Sequence, residues 1–405
     1  MGLAVIDILC YAHGVFFTVL QTLLMFGCFL EWRRDRGALR AMPAHAGDAC
    51  REPCGEKQDT MPLRVSLIIP IHNESQRMER LLYSLLTQDH PAEIIFVDDC
   101  SDDESPAMLS QFVNDAAERG MDNCRVITLT ENPGPNRKQY ALSVGIAEAH
   151  GDYLLFTDGD CEVPPDWIRA MARRMVDTTV GVVIGPVFKK KPGKGFFFLY
   201  QCYDHAIRYN YLAGSIGLGA AGGGFGNNII VSKAALDSVG GYEAVPPSPT
   251  EDAALVSLIR SRGKYRVRAI ALPDAAVETV AEATWSGFIG QTLRWNNGGL
   301  FSPERMTRLN YNVLMLLITT GILAIPLLPF FPVLWPLPAG VFIVMIENTI
   351  ASFGLFHTKL PSGRLLNFGY ILTLFFTPVY FSLMTLMGYC GIKVTWKGKR
   401  LLRSI

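Results

Sequence analysis

The sequence predicts an α/β domain with a mostly parallel sheet, tied to a membrane by one N-terminal and two or three C-terminal transmembrane helices. Short runs of β-branched residues alternate with helical patterns through the middle of the chain, which is typical of a parallel sheet covered on both faces. Long apolar stretches flank this region. Of the 405 residues, 49% are hydrophobic and 18% are charged, and the mean hydropathy is positive, so part of the apolar surface is expected to face lipid.

The first apolar stretch predicts a membrane anchor over residues 1–32. Val5 to Leu30 carries one charge, Asp7, and the polar residues His13 and Gln21, and it exceeds the roughly 20 residues that a spanning helix needs. No basic segment precedes it and no small-residue cleavage site follows, which disfavours a signal peptide. Four arginines lie between residues 33 and 40, and none lies in the first ten residues. The positive-inside rule therefore predicts a multi-pass protein of the cell (inner) membrane with its central domain in the cytoplasm.

Residues 33–63 lack periodicity and are predicted to be a linker, and residues 64–305 are predicted to form the central domain. The predicted strands are Val65–Pro70, Ile94–Val97, Arg125–Leu129, Tyr153–Thr157 and Val180–Ile184. The predicted helices between them are Glu74–Gln88, Glu104–Arg119, Asn136–His150 and Asp166–Val176. Strands and helices in this alternation indicate ligand binding at the carboxyl edge of the sheet.

Residues 306–392 are predicted to be a C-terminal transmembrane region, with apolar stretches near 312–331, 333–353 and 365–390. Residues 393–405 form a basic tail. Three full crossings would place this tail outside the cell, so a re-entrant segment at Pro378 or an interfacial stretch is an alternative, and a cytoplasmic tail is favoured. Glu347 lies within a predicted span and is expected to face either a polar cavity or the headgroups at a helix end.

Charge and cysteine content exclude several classes of protein. The 37 basic and 37 acidic residues cancel, so no overall field points to nucleic acid, and no nucleic-acid partner is predicted. The nine cysteines are scattered, and Cys50 and Cys54 have no second pair that would complete a zinc site. They are interpreted as reduced thiols.

Acidic residues follow three of the predicted strands. The first strand ends in "IPIHNES", the second in "VDDCSDD" and the fourth in "TDGD", which brings His72, Asn73, Glu74, Asp98, Asp99, Asp158 and Asp160 to one edge. At least five carboxylates there would repel each other unless a cation neutralised them. Oxygen ligands with open positions suit Mg²⁺ or Mn²⁺ shared with substrate phosphates, whereas a lone Asp-Gly-Asp also occurs in ordinary turns.

Two later segments add candidate residues. "PPSPTEDAAL" places Thr250, Glu251 and Asp252 at a helix start, where they are either reactive groups or an N-cap with acidic first-turn residues. In "QTLRW", the guanidinium and the indole suit a departing diphosphate and a sugar ring, or else mark the lipid interface. Lys138 is predicted to add charge near the phosphates, and Arg137 is predicted to lie on a solvated helix face.

The ordered set "IPIHNE", "VDDCSDD", "FTDGD", "PTED" and "QTLRW" resembles the motif series of membrane-embedded family 2 glycosyltransferases, which are inverting enzymes with the Rossmann-like GT-A fold. The resemblance covers roughly Pro62 to Leu300. It implies that Asp98 or Asp99 contacts the nucleotide base, that Asp158 and Asp160 hold the diphosphate through a metal, and that Asp252 is the general base. Gln291, Arg294 and Trp295 would line the diphosphate and acceptor site, and Pro70, His72, Glu74 and Lys138 complete the predicted donor-binding residues.

The predicted function is transfer of a sugar from a nucleotide sugar, with a UDP-sugar favoured, to a lipid or lipid-linked hydroxyl at the cytoplasmic face. The membrane region is short for extruding a polymer, so a processive polysaccharide synthase is the alternative. Another metal-dependent nucleotide transferase and a non-catalytic scaffold fit the motifs less well. The terminal "TWKGKR" is similar to ceramide-glucosyltransferase-like members, whereas "GGGFGNN" replaces the Phe-Cys-Gly-Ser acceptor loop of processive synthases.

Two further motifs have simpler interpretations. "GLGAAG" at residues 217–222 matches a dinucleotide-binding pattern, but it neither follows a strand nor opens a helix, so it is interpreted as a mobile glycine-rich loop near the acceptor site. "KKKPGKGFFFLY" combines Lys189, Lys190, Lys191 and Lys194 with aromatic residues. This segment predicts contact with anionic headgroups, or a solvated loop.

Overall fold

The computed structural model of the chain describes residues 2–41, 63–190, 193, 195–220, 223–360, 368–392, 395–396 and 399–400. Most of the predicted linker and most of the basic tail lie outside these residues, as do Lys191 and Lys194. The described tail residues form a short antiparallel pair, Thr395–Trp396 with Lys399–Arg400.

The central domain is built on a seven-stranded sheet. Its strands are β1 (Val65–Ile71), β2 (Glu93–Asp99), β3 (Cys124–Leu129), β4 (Tyr153–Phe156), β6 (Val180–Ile184), β8 (Ile229–Ser232) and β9 (Arg266–Ala269), in the order β3-β2-β1-β4-β8-β6-β9. All pairs are parallel except those of β8 with β4 and β6. A small second sheet has the order β5-β10-β7, formed by Cys161–Glu162, Val277–Val280 and Val187–Lys190. The predicted strands and the mostly parallel sheet are therefore confirmed.

Helices cover both faces of the large sheet. They are α2 (Glu79–Leu85), α3 (Ser105–Glu118), α4 (Arg137–Ala147), α5 (Trp167–Ala172), α6 (Phe196–Gly217), α7 (Lys233–Asp237), α8 (Glu251–Ser261) and α9 (Trp285–Leu300). The helix predicted from Glu74 is regular only from Glu79, because the preceding residues form turns closed by bonds such as Arg77 N to the Glu74 carbonyl at 2.8 Å. The segment before the glycine-rich loop, for which no helix was predicted, is the 22-residue α6.

Successive residues of the central strands feed two different apolar cores. Ile68 belongs to one core, and its neighbours Leu67 and Ile69 belong to the other, because side chains along a strand alternate between faces. The Ile68 core continues into membrane-helix residues such as Phe17 and Met345. One face of the sheet therefore packs directly on the membrane region.

Four helices are long and apolar enough to cross a bilayer, counted over the part of the chain that the structure describes. They are α1 (Gly2–Ala41), α10 (Arg305–Ala324), α11 (Pro336–Phe356) and α12 (Phe368–Tyr389). The three C-terminal helices agree with the upper predicted number. Helices α1 and α6 approach so closely that a Cβ atom on Gly27 would collide with the carbonyl oxygen of Gly214.

Helix α1 does not end at the predicted anchor boundary, residue 32, but remains helical to Ala41. Its extension docks on the central domain through buried ion pairs. Glu31 is fully buried and accepts hydrogen bonds from Arg268 Nε at 2.9 Å and from the backbone N–H of Ala269 at 3.0 Å. Asp35 accepts from Arg174 Nε at 2.6 Å. Long-range partners, which sequence patterns do not reveal, thus convert the start of the predicted linker into helix.

Replacing Asp35 with asparagine is expected to lower the free energy of unfolding by about 3 kcal/mol, because it leaves the Arg174 guanidinium buried with less compensating charge. Asp152→Asn is the matched control: Asp152 also forms a two-bond pair with an arginine, Arg64, but both side chains are more than half exposed. Its expected cost is below about 1 kcal/mol. Thermal unfolding in detergent, followed by tryptophan fluorescence, compares the two. Equal decreases in the unfolding temperature of the two variants would show that docking of the α1 extension does not depend on the Asp35–Arg174 pair.

Candidate active site

One cavity of about 370 Å³ lies at the carboxyl ends of β1, β2 and β4. Its wall contains most of the predicted site residues. They are Pro70, His72, Glu74, Asp99, Lys138, Asp158, Asp160, Asp252, Gln291, Arg294 and Trp295. Parallel strands direct their carboxyl ends to the same edge, which explains why motifs far apart in sequence meet here.

The ends of β1 and β2 are held together by polar contacts. His72 Nδ1 lies 2.7 Å from the backbone oxygen of Asp99. The next residue, Asn73, has a φ of 54°, and its side-chain amide donates to Asp102 Oδ1 at 2.6 Å. Asparagine tolerates the left-handed conformation better than most residues, so it suits the sharp turn that follows the strand.

The two aspartates that end β2 have different surroundings. Asp99 lines the cavity, where it pairs with Arg137 at 2.7 Å and accepts from Asn132 at 2.6 Å. Asp98 is only 1% exposed, does not line the cavity, and accepts from the backbone N–H of Ser101 at 3.2 Å. The structure thus places Asp99 and not Asp98 on the cavity wall, because neighbouring side chains along a strand face opposite sides, and the donor-binding role of either residue stays a prediction. Arg137 is likewise part of the site and not a solvated residue.

Asp158 and Asp160 follow β4 on either side of Gly159. A Cβ atom on Gly159 would lie 2.7 Å from Ile71 Cδ1 and 3.1 Å from Glu74 Cγ, so this turn passes close to the end of β1. Lys138 Nζ is 2.7 Å from Asp158 Oδ1 and 3.3 Å from Glu251 Oε1. Burial by itself lowers the pKa of Lys138, but Asp158, Glu251 and Asp252 outweigh it and raise the pKa above the ordinary value. Lys138 therefore stays charged and relieves part of the carboxylate repulsion.

The residues present fit a divalent cation that is completed by substrate phosphates. Among the described residues, no group of three or more His, Cys, Asp or Glu side chains could hold a metal ion, so an ion bound by Asp158 and Asp160 would take its other ligands from the substrate or from water. Asp158 and Asp160 both line the cavity, and Asp160 has no ion pair within the described part of the chain. Mg²⁺ is commonly bound by one or two carboxylates together with phosphate oxygens, and this pair provides that number.

Asp252 lies in the first turn of α8, with Thr250 at the N-cap position. Thr250 makes no side-chain capping bond, so capping does not explain the motif. The Asp252 carboxylate accepts from Gly226 N at 2.6 Å and from Ala253 N at 2.8 Å. Two backbone donors thus orient the group, and a carboxylate retains further lone pairs for an incoming hydroxyl. The part of the glycine-rich segment that follows residue 222 contacts this carboxylate.

Gln291, Arg294 and Trp295 share one face of α9, because residues three and four positions apart are neighbours on a helix. Arg294 Nη1 donates to the carbonyl oxygen of Pro249 at 3.2 Å, which joins α9 to the segment before α8. Gln291 Nε2 donates to Glu282 at 3.1 Å. Trp295 has the Arg208 guanidinium 5.5 Å and Lys189 Nζ 5.8 Å from its ring centroid. The indole therefore lies in a strongly cationic environment.

Lys189 belongs to this site, and the headgroup interpretation of Lys189 is wrong. It is only 4% exposed, lines the cavity, and donates to Gln291 Oε1 and to the carbonyl oxygen of Val280, both at 3.1 Å. Burial lowers its pKa, although Asp160 and Glu282 oppose this effect. Lys189 forms no ion pair within the described residues. A buried ammonium group without a carboxylate partner is suited to bind an anionic ligand.

Sequence reasoning also missed Arg208 of α6, whose Nε donates to Asp204 at 2.8 Å. A signal for Lys189 existed, since it lies on the same side of β7 as the buried Val187. No local signal marked Arg208, because its place in the cavity depends on α6 packing against α9 and α12.

The cavity does not end at the sheet. It continues between the membrane helices, where its wall includes Gln21, Tyr311, Leu314, Met315, Val344, Met345, Asn348 and Phe381. These residues come from α1, α10, α11 and α12. The polar site at the sheet edge is thus continuous with a mainly apolar space inside the membrane region.

Comparison with known proteins agrees with this architecture. Residues 66–240 match the family model for glycosyl transferase family 2. These residues form a glycosyltransferase family 2 domain. The predicted family and fold class are therefore confirmed, and the match includes the cavity residues on β1, β2 and β4.

Curated relatives match the family 2 domain to different extents. Glycosyltransferase AglE of Haloferax volcanii is 30% identical over 139 residues, which are 34% of this chain and 43% of AglE. Beta-monoglucosyldiacylglycerol synthase of Synechocystis sp. is 26% identical over 284 residues, which are 68% of this chain and 57% of that protein. The chain thus spans about half the length of these relatives.

A solved structure shows the same fold over nearly the whole chain. The mannosyltransferase PcManGT of Pyrobaculum calidifontis, solved with GDP-mannose and Mn²⁺, has a TM-score of 0.50 and 19% identity. The alignment covers 94% of this chain and 96% of PcManGT. The GT-A architecture of the family 2 domain and the arrangement of flanking helices are therefore shared.

Proposed function

We propose that this protein is an inverting glycosyltransferase that moves a sugar from a nucleoside diphosphate sugar to a hydroxyl group of a membrane lipid or lipid-linked acceptor. The observation that carries the proposal is the single cavity that joins the acidic strand ends to the membrane helices. A water-soluble donor can reach its polar half, and a lipid can enter its apolar half. The name of the Synechocystis relative, a diacylglycerol glucosyltransferase, supports a lipid acceptor.

The donor would bind at the ends of β1, β2 and β4. Asp158 and Asp160 are placed to hold Mg²⁺ or Mn²⁺ with the diphosphate, and a cation bound there would stabilise charge on the leaving oxygens. Lys138 and Arg294 add fixed positive charge on the same wall. Preorganised charge of this kind is usually the largest contribution to catalysis.

The acceptor would approach from the opposite side of the anomeric carbon. Asp252, held by the backbone N–H groups of Gly226 and Ala253, would accept the hydroxyl proton as the new bond forms. Trp295 would offer an apolar face beside the sugar. A single displacement with one base on the far side inverts the configuration of the anomeric carbon.

The side of the membrane follows from charge. Arginines follow the first span at the end that docks on the family 2 domain, whereas the first ten residues of the chain contain no Lys or Arg. By the positive-inside rule, these arginines support a position of the domain on the cytoplasmic face of the cell membrane.

The test incubates the purified protein in lipid vesicles with a panel of labelled nucleotide sugars, with and without Mn²⁺, and separates organic from aqueous products. Label is expected in the organic phase, and only when the metal ion and a lipid with a free hydroxyl are both present. Long water-soluble polymer made from the donor alone would instead favour a polysaccharide synthase. Absence of transfer to every lipid would overturn the proposal.

A further inference from the structure

Gln21 is an amide side chain in the middle of the first membrane span. It is only 4% exposed and lines the cavity. Its amide makes no hydrogen bond to any residue in the described ranges, and it has no place in the proposed chemistry. An amide that faces a cavity between membrane helices can form hydrogen bonds with a polar group of a molecule that enters the cavity.

The position of Gln21 along α1 gives its depth. Glu31, ten residues later, is bonded to the family 2 domain and so marks the level at which α1 meets that domain. Ten residues of helix span about 15 Å. Because the hydrocarbon core of a bilayer is about 30 Å thick, the amide lies well below the membrane surface.

A second amide lies at the same level. Thr22 Oγ1 donates to Glu347 Oε1 at 3.1 Å, so α1 and α11 are in contact one residue away from Gln21 and from Asn348. Asn348 also lines the cavity and is 5% exposed. Its Nδ2 donates to the carbonyl oxygen of Val344 within its own helix.

Much of the remaining wall between the membrane helices is apolar. Leu314 and Met315 come from α10, and Val344 and Met345 come from α11. Hydrocarbon chains match this surface, whereas a hydrated polysaccharide does not. The inner end of the cavity therefore combines an apolar wall with hydrogen-bonding groups at one level.

We infer that the Gln21 amide, with Asn348 beside it, binds the carbonyl group that links headgroup to chains in a two-chain lipid acceptor. This inference rests on the proposed function and narrows its acceptor. The lipid group that Gln21 would bind is a carbonyl oxygen. It belongs either to the ester of a glycerolipid or to the amide of a sphingolipid. A polyprenyl chain is pure hydrocarbon and offers Gln21 no partner.

The test measures kcat/KM with diacylglycerol, ceramide and the dialkyl ether analogue of the diacylglycerol, which keeps its shape but lacks both carbonyl groups. The wild type is expected to prefer at least one carbonyl lipid over the ether by about tenfold, the worth of one buried hydrogen bond. Gln21→Met, of similar volume, is expected to lose that preference through a higher KM. Comparing diacylglycerol, which has ester groups, with ceramide, which has an amide, shows which kind of lipid supplies the carbonyl group.

Val19→Met is the matched control on the same helix, since Val19 is 50% exposed and does not line the cavity. It should keep the wild-type preference. If Gln21→Met proves unstable in thermal unfolding, Asn348→Leu serves as the second variant, with the same expected loss.

Equal use of ester and ether lipids by the wild type, or an unchanged preference in both variants, would overturn the inference and leave the proposed function intact. A strong preference for a polyprenyl acceptor would also overturn it. Failure of every lipid to accept sugar would instead count against the proposed function itself.

Discussion

Replacing Asp160 with asparagine is expected to lower turnover on the order of 10³-fold, the largest loss among single substitutions in the cavity. Asp160 lines the cavity without an ion pair among the described residues, whereas Asp158 is already paired with Lys138 at 2.7 Å. Asp160 is therefore the carboxylate with most capacity to bind a cation. Asparagine keeps the size and one oxygen but loses the charge that attracts the metal.

The measurement follows Mn²⁺ binding by electron paramagnetic resonance in the presence of a nucleoside diphosphate, together with sugar transfer. The Asp160→Asn protein should bind Mn²⁺ much more weakly and should turn over slowly even at saturating donor. Asp122→Asn makes the same chemical change at an exposed position outside the cavity and should match the wild type. Wild-type metal affinity in Asp160→Asn would remove this residue from the proposed metal site.

Replacing Asp252 with asparagine is expected to lower kcat by roughly 10²–10³-fold, within the range of general base catalysis. The asparagine oxygen can still accept from Gly226 N, so the loop should keep its position. An amide cannot take the proton from the acceptor hydroxyl. Donor binding should change little, because the proposed donor contacts lie on β1, β2 and β4.

Single-turnover transfer and equilibrium binding of the nucleoside diphosphate separate these effects. The expected pattern for Asp252→Asn is slow chemistry with a dissociation constant close to that of the wild type. Asp237→Asn, at an exposed position on α7, is the matched control and should behave as the wild type does. Normal turnover in Asp252→Asn would mean that another group accepts the proton.

Local patterns were sufficient for the fold class and for much of the candidate site. Runs such as Val65–Pro70 and Val180–Ile184 are strands in the structure, because β-branched apolar residues suit a sheet that is buried on both faces. Asp99, Asp158 and Asp160 reach one cavity because a parallel sheet directs its carboxyl ends to one edge. These features depend on neighbours in sequence and on a general rule of topology.

Long-range contacts decided the rest. Choosing between Asp98 and Asp99 required the pleat of β2, and finding that Lys189 contacts Gln291 required the packing of β7 against α9. The sequence shows Gln21 as a polar residue in an apolar span. The cavity that it faces is formed by residues of α10, α11 and α12. The sequence by itself determined which segments are strands, helices and spans, because those depend on periodicity and burial preference. The tertiary structure alone decided which charges are paired and which amide faces the cavity, because electrostatic partners and cavities are formed by residues far apart in the chain.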